Sequence, residues 1–169
     1  ESQDSSDDSN TTEMTRLIKR RLKGQEELWE FSEESGGDAD DLFTEAVRLH
    51  AEEQDKYAAD RMYKRVLRLQ PDNVGALCNY GSLMYQQFGD HSTARRAFRR
   101  ALRLNPYDGT TLSNYADLVQ GANHDYQEAQ RLYERAVAAD PLNVATIFDY
   151  ATMRSEELRD NEGALKLLK

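Results

Sequence analysis

Three residue types in this chain of 169 residues have the side chains for chemistry: three histidines, one cysteine and a dense group of arginines. His50, His91 and His124 are dispersed well beyond the close ligand spacing of a metal site. Cys78 is alone, which excludes an internal disulfide framework and any cysteine-rich zinc module. A lone helical cysteine reads most simply as a small buried apolar residue. There is no glycine-rich phosphate loop, no nucleophile elbow and no paired-cysteine spacing. The chain is therefore read as non-enzymatic, with no metal and no cofactor. The arginines are the distinctive group. Arg95, Arg96, Arg99, Arg100 and Arg103 crowd one short segment, with no acid from His91 to Tyr107.

Those cations stand against an acidic background. Lys plus Arg number 22 and Asp plus Glu 31, for a formal net charge of −9. Such a chain is a poor candidate for gripping nucleic acid with its whole surface, because phosphate neutralisation needs a net basic footprint. Residues of hydrophobic type make up 38% and charged ones 31%, enough for a packed but narrow core. No apolar run approaches the roughly 20 residues of a membrane span.

The elements that position these residues follow from an internal repeat. Pro71, Pro106 and Pro141 are the only prolines, and both intervals are thirty-five residues. The same interval carries Tyr80, Tyr115 and Tyr150, each followed by a small residue (Gly81, Ala116, Ala151). It also carries Ala59, Ala94, Ala129 and Ala164, then Tyr63, Phe98 and Tyr133 four residues on. Two columns of helix-capping residues complete it: Asp38, Asn73, Asp108 and Asn143, and Asp55, Asp90, Asp125 and Asp160. A short side-chain oxygen at such a place accepts an orphan N–H of the first helical turn. Each period therefore holds two capped helices of about 14 and 13 residues, with the proline closing the second. Small residues let the two helices approach, and the aromatics fill the space between hairpins. No single hairpin can bury its apolar stripe, so the hairpins must stack.

This pattern resembles the tetratricopeptide repeat. Leu77, Tyr80, Gly81, Ala94, Phe98, Ala101 and Pro106 match its small–large signature in the clearest copy, and Leu112, Tyr115, Ala116, Ala129, Tyr133, Ala136 and Pro141 in the next. Leu77, Leu112 and Ile147 stand where the family usually opens with an aromatic, and the period is one residue longer than usual, the extra residue falling near Gly89 and His124. The second helices are also similar to half-a-tetratricopeptide repeats of RNA-processing scaffolds. The resemblance implies an all-α superhelix, a solenoid of stacked antiparallel hairpins. The copies are read as 39–73, 74–108, 109–143 and a partial 144–169 within a repeat region 39–169. Leu165, Leu167 and Leu168 are expected to lack a neighbour to pack on, so the array is expected to continue. Glu1 in place of Met likewise reads as a processed form or a fragment.

Ahead of the repeats, residues 1–13 hold five acids and no aliphatic or aromatic residue, so they are expected to be a disordered acidic tail. Residues 14–38 are read as an amphipathic helix and a Ser35-Gly36-Gly37 joint. Arg16, Lys19, Arg20, Arg21 and Lys23 there suit either a solvated capping helix or a docking or nuclear-targeting patch.

In the family, first helices line the concave side, and an Asn just before the Tyr80 position contacts a ligand's peptide backbone. The resemblance thus implies a peptide-binding concave face at Asn79, Ser82, Asn114, Asp117 and Asp149. Members that clamp the C-terminal carboxylate of chaperones use Lys and Arg from those helices. None stands at the matching places here, so that partner is disfavoured. On the convex side the period stacks Arg61, Arg96 and Arg131 in one column and Arg65, Arg100 and Arg135 in another, with Arg99 and Arg103 beside them. A local cationic ridge can attract an anionic partner whatever the net charge. Candidates are an acidic protein tail, RNA, or residues 1–13. The leading expectation is a protein-interaction scaffold with a protein or peptide partner, and the alternative is an RNA-associated scaffold working through the ridge.

Overall fold

The computed structural model describes residues 38–51 and 55–168, and the expectations for residues 1–37 lie outside them. The chain divides into two units, Glu1–Asp38 and Ala39–Lys169. Among the described residues the second is built of helices joined by short turns, with no strand. Its elements are α1 (Ala39–Ala51), α2 (Lys56–Leu69), α3 (Val74–Leu83), α4 (His91–Leu104), α5 (Gly109–Asn123), α6 (Tyr126–Ala139), α7 (Val144–Glu156) and α8 (Asn161–Leu167). A π-helical turn, Met84–Phe88, extends α3.

The capping columns act as their chemistry dictates. The side chains of Asp55, Asn73, Asp90, Asp108, Asp125, Asn143 and Asp160 each accept the backbone N–H three residues on, at 2.8–3.1 Å. The extra residue of the long period has a conformational role. Gly89, His124 and Arg159, one period apart, all adopt left-handed φ values of 54–65°. That conformation follows the first helices α3, α5 and α7 and turns the chain into the second helix of each hairpin. Glycine takes it freely, whereas His124 and Arg159 hold it against steric preference.

Burial separates the two kinds of helix. In α4 the buried residues are Ala94, Ala97, Phe98 and Ala101, a single stripe at helical spacing. In α5 they are Thr111, Leu112, Ser113, Tyr115, Ala116, Leu118 and Val119, because this first helix has hairpin neighbours on both sides. Tyr63, Phe98, Tyr133 and Tyr150 are fully buried and link the hairpins into one apolar core. Gly81 shows how tight the seam is: a Cβ there would lie 2.6 Å from the Phe98 ring. At the far end Leu165 and Leu168 are exposed, as is Phe148, while Leu167 packs onto the core.

The second helices α2, α4 and α6 each pack on the first helix of the next hairpin. In addition α1 touches α3 and α3 touches α5, a closer approach than neighbouring second helices make. The array therefore bends toward its first helices, which form the inner face, and splays the second helices on the outer one.

Candidate functional site

The inner face is built from α1, α3, α5 and α7. Their caps fix where each helix starts, and the period then brings positions 82 and 117, and 79, 114 and 149, into register. The two asparagines are engaged in joining helices. Asn114 Nδ2 donates to Ser82 Oγ at 3.0 Å and approaches Cys78 Sγ at 3.4 Å, stitching α5 to α3. Ser82 is itself buried, its hydroxyl donating to the Cys78 carbonyl at 3.3 Å. Asn79 is half-buried beside Tyr63. Burial pushes the Tyr63 phenol up to about 12, and the hydrogen bond with Asn79 opposes that rise.

Asp117 and Asp149 are the charged part of this face. The hydroxyl of Tyr133 donates to the Asp117 carboxylate, and that of Tyr85 to the Asp117 backbone carbonyl at 3.3 Å. Tyr85 comes this close because Gly121 has no Cβ to obstruct its hydroxyl. Burial raises the Asp117 pKa above the ordinary carboxylate value, the Tyr133 hydrogen bond pulls it back, and nearby Asp149 raises it further. Asp149 is exposed on one side and is also raised by partial burial. The Tyr133 phenol is raised strongly by burial and by Asp117. Sequence reasoning treated Tyr133 purely as a space-filler and so missed this hydroxyl–carboxylate pair. The contrast of Tyr with Phe98 in the same column was the available signal.

Cys78 is buried, and that burial raises its thiol pKa, which disfavours a reactive thiolate. His50 is lowered by burial and its ring lies 3.5 Å from the Tyr63 hydroxyl. Among the described residues no cluster of potential metal ligands forms, and no helix is long and apolar enough to cross a membrane.

On the outer face the predicted arginines divide by role. Arg100 donates to Asp72 at 3.3 Å, and Arg135 to the Pro106 carbonyl at 2.9 Å. Both reach back to the loop that follows the preceding second helix, so this column ties hairpin to hairpin. Arg96 donates to Thr93 Oγ1 on its own helix at 2.9 Å. Arg61 is exposed and Arg65 half-buried, and both have partners. Arg131 is exposed on α6. Arg99 and Arg103 are exposed and form no ion pair among the described residues. Arg96, Arg99, Arg100 and Arg103 converge on one cleft of about 600 Å³, whose other lining comes from Leu67, Leu77, Tyr80, Thr93 and Ala97.

Among curated proteins none matches the sequence. Solved structures do. The chain is similar to the O-GlcNAc transferase of Thermobaculum terrenum, with a TM-score of 0.68 and 22% identity over 76% of this chain, which spans 24% of that one. It is similar to MamA from Desulfovibrio magneticus RS-1, with a TM-score of 0.67 and 18% identity over 92% of this chain and 90% of the other. The first tetratricopeptide domain of Spaghetti (RPAP3), bound to the HSP90 peptide SRMEEVD, gives a TM-score of 0.60 and 20% identity over 76% of this chain and 93% of that one. At these identities the likeness is one of fold. The tetratricopeptide repeat model itself matches residues 44–109 and 118–152, more than half of the sequence. With capped hairpins that recur every thirty-five residues and stack through one aromatic column, the chain belongs to the tetratricopeptide repeat family.

Proposed function

We propose that this protein is a non-catalytic interaction scaffold that holds a segment of a partner protein along its inner face. The observation that carries this reading is the pair Asp117 and Asp149: two inner-face carboxylates whose pKa values are raised by burial and which, among the described residues, are bonded to no cation, Asp117 accepting from the Tyr133 hydroxyl. A carboxylate in such surroundings gains most from a cation that arrives with a ligand. The face therefore suits a peptide with a Lys or Arg side chain, and the half-buried Asn79 amide, with both donor and acceptor, supplies a contact to peptide backbone. A relative in fold is seen with an acidic peptide, SRMEEVD. The same peptide would meet like charge here. RNA along the outer arginines is the alternative, and no observation on the inner face favours it.

The test is fluorescence anisotropy with SRMEEVD and with its charge-reversed counterpart, in which Lys replaces each acidic residue. Asp149→Lys, a change at an exposed position, is expected to weaken the basic peptide by about tenfold or more and to leave SRMEEVD no weaker than before. Binding of the basic peptide that Asp149→Lys leaves unchanged would refute the reading.

A further inference from the structure

The cleft on the outer face lies away from the inner-face carboxylates and does not depend on their role. It opens because second helices splay: Leu67 of α2 forms one wall, Leu77 and Tyr80 of α3 the floor, and α4 the other wall. Along α4, Arg96, Arg99 and Arg103 follow at three- and four-residue spacing, so they share one helix face over roughly 10 Å. None of the nine lining residues is acidic. Among the described residues the one carboxylate bonded to a lining arginine is Asp72, on Arg100. The next hairpin shows what would close such a cleft. Where α4 has Ala97, 6% exposed, α6 has Leu132, 5% exposed, and where α4 has Arg99, α6 has Glu134.

We propose that this cleft is a second binding site, which takes an acidic peptide segment, laying carboxylates on Arg96, Arg99 and Arg103 and seating one aliphatic side chain against Leu67, Leu77 and Ala97. Charge complementarity selects the acids, since guanidinium groups pair with carboxylates through charge-assisted hydrogen bonds. The aliphatic floor selects a peptide over a nucleic acid strand. A phosphodiester backbone has nothing to bury there, and stacking of bases calls for a series of aromatic rings, of which the lining has Tyr80 alone. The cationic track also breaks at α6, where Glu128 and Glu134 alternate with Arg131 and Arg135.

Four labelled probes decide the matter in anisotropy titrations of the full chain. The first is a peptide of a dozen Asp and Glu residues around one central Leu. The second has Gln for that Leu, the third is an oligouridylate of similar charge, and the fourth is a synthetic peptide of residues 1–13. The Leu peptide is expected to bind about tenfold more tightly than the Gln peptide. Ala97→Leu, which copies the residue of the next hairpin, should remove that difference while the Gln peptide binds as before. The double variant Arg99→Glu, Arg103→Glu alters exposed positions, and it should weaken both peptides by about tenfold or more. Circular dichroism confirms that each variant is folded, and the double variant remains decisive if Ala97→Leu does not fold. The proposal is overturned if the Leu and Gln peptides bind alike, or if either variant leaves the Leu peptide unaffected. It is equally overturned if the oligouridylate, or a synthetic peptide of residues 1–13, which lacks an apolar anchor, binds as tightly as the Leu peptide.

Discussion

The second and third hairpins, α3–α4 and α5–α6, have the same caps, the same left-handed turn and the same closing proline. They differ at the few places where one side chain meets the next hairpin or solvent. The second pairs Gly81 with Phe98, places Ser82 on the inner side and turns four arginines outward around Ala97. The third pairs Ala116 with Tyr133, places Asp117 on the inner side and fills its outer flank with Leu132 and Glu134. One hairpin thus presents cations outward and the other an anion inward, on one backbone. The repeated columns determine the packing. The substitutions between copies determine where each face carries charge.

The sharpest way to break this comparison is at the aromatic seam. Phe98→Ala removes a fully buried ring that also meets Tyr115 at 6.0 Å between centroids, and should cost about 3–5 kcal/mol in urea unfolding. Gly81→Ala puts a Cβ 2.6 Å from that same ring and should cost about 1–3 kcal/mol. Combined with Phe98→Ala, the added methyl occupies space the ring has left, so the double variant should be more stable than the sum of the two losses implies. Additive losses would show that Gly81 is set by something other than Phe98.

A smaller effect separates the two seams by their polar atoms. Tyr133→Phe keeps the ring, which stacks on Tyr150 at 5.4 Å, but leaves the Asp117 carboxylate without its hydroxyl partner. The expected loss is about 1–2 kcal/mol. Adding Asp117→Ser installs the second hairpin's combination, Phe with Ser, in the third. If the hydroxyl–carboxylate bond is what distinguishes the seams, the double variant recovers at least half of that loss. An unfolding midpoint no higher than that of Tyr133→Phe alone would mean that the ring environments differ for another reason.

The fold was legible because it is written four times over. Caps, prolines and small–aromatic pairs at a constant interval leave only stacked hairpins as a way to bury the stripe, and the caps from Asp55 to Asp160 are found where the columns put them. The candidate sites were legible only as columns. Sequence spacing places Arg96 and Arg100 on one helix, but it does not say that Arg100 reaches back to Asp72, or that Ala97 is small enough to open a cleft beside them. It places Asn79 and Asn114 in register, but not their bonds to Tyr63 and Ser82, because the first depends on how α2 packs on α3 and the second on the distance between α3 and α5. The Tyr133–Asp117 bond depends on how α5 and α6 pack within one hairpin.

The smallest predicted effect is a dependence on pH whose direction sets the third hairpin apart from the second. The Asp117 pKa is raised in the folded protein above its ordinary value of 3.8. The folded state therefore holds the proton more tightly, and between those two values it binds more protons than the unfolded chain. In that window the contribution of Asp117 to stability falls as pH rises, and above it the penalty is complete and constant. Asp149 acts in the same direction. Asp90, the cap of the second hairpin's α4, does the opposite: hydrogen bonds to Thr93 lower it to about 2, so its contribution is present above 3.8 and is lost as pH falls toward 2. Asp117→Asn removes the charge and keeps an oxygen to accept from Tyr133. It should be more stable than the unaltered protein at neutral pH by less than about 1 kcal/mol. As the pH is lowered through that window the advantage should shrink, since the native carboxyl then takes up its proton. Unfolding measured across this range reads the difference directly. An advantage that stayed the same at every pH would mean that the Asn acts through packing, and that the inward carboxylate is not what sets the third hairpin apart from the second.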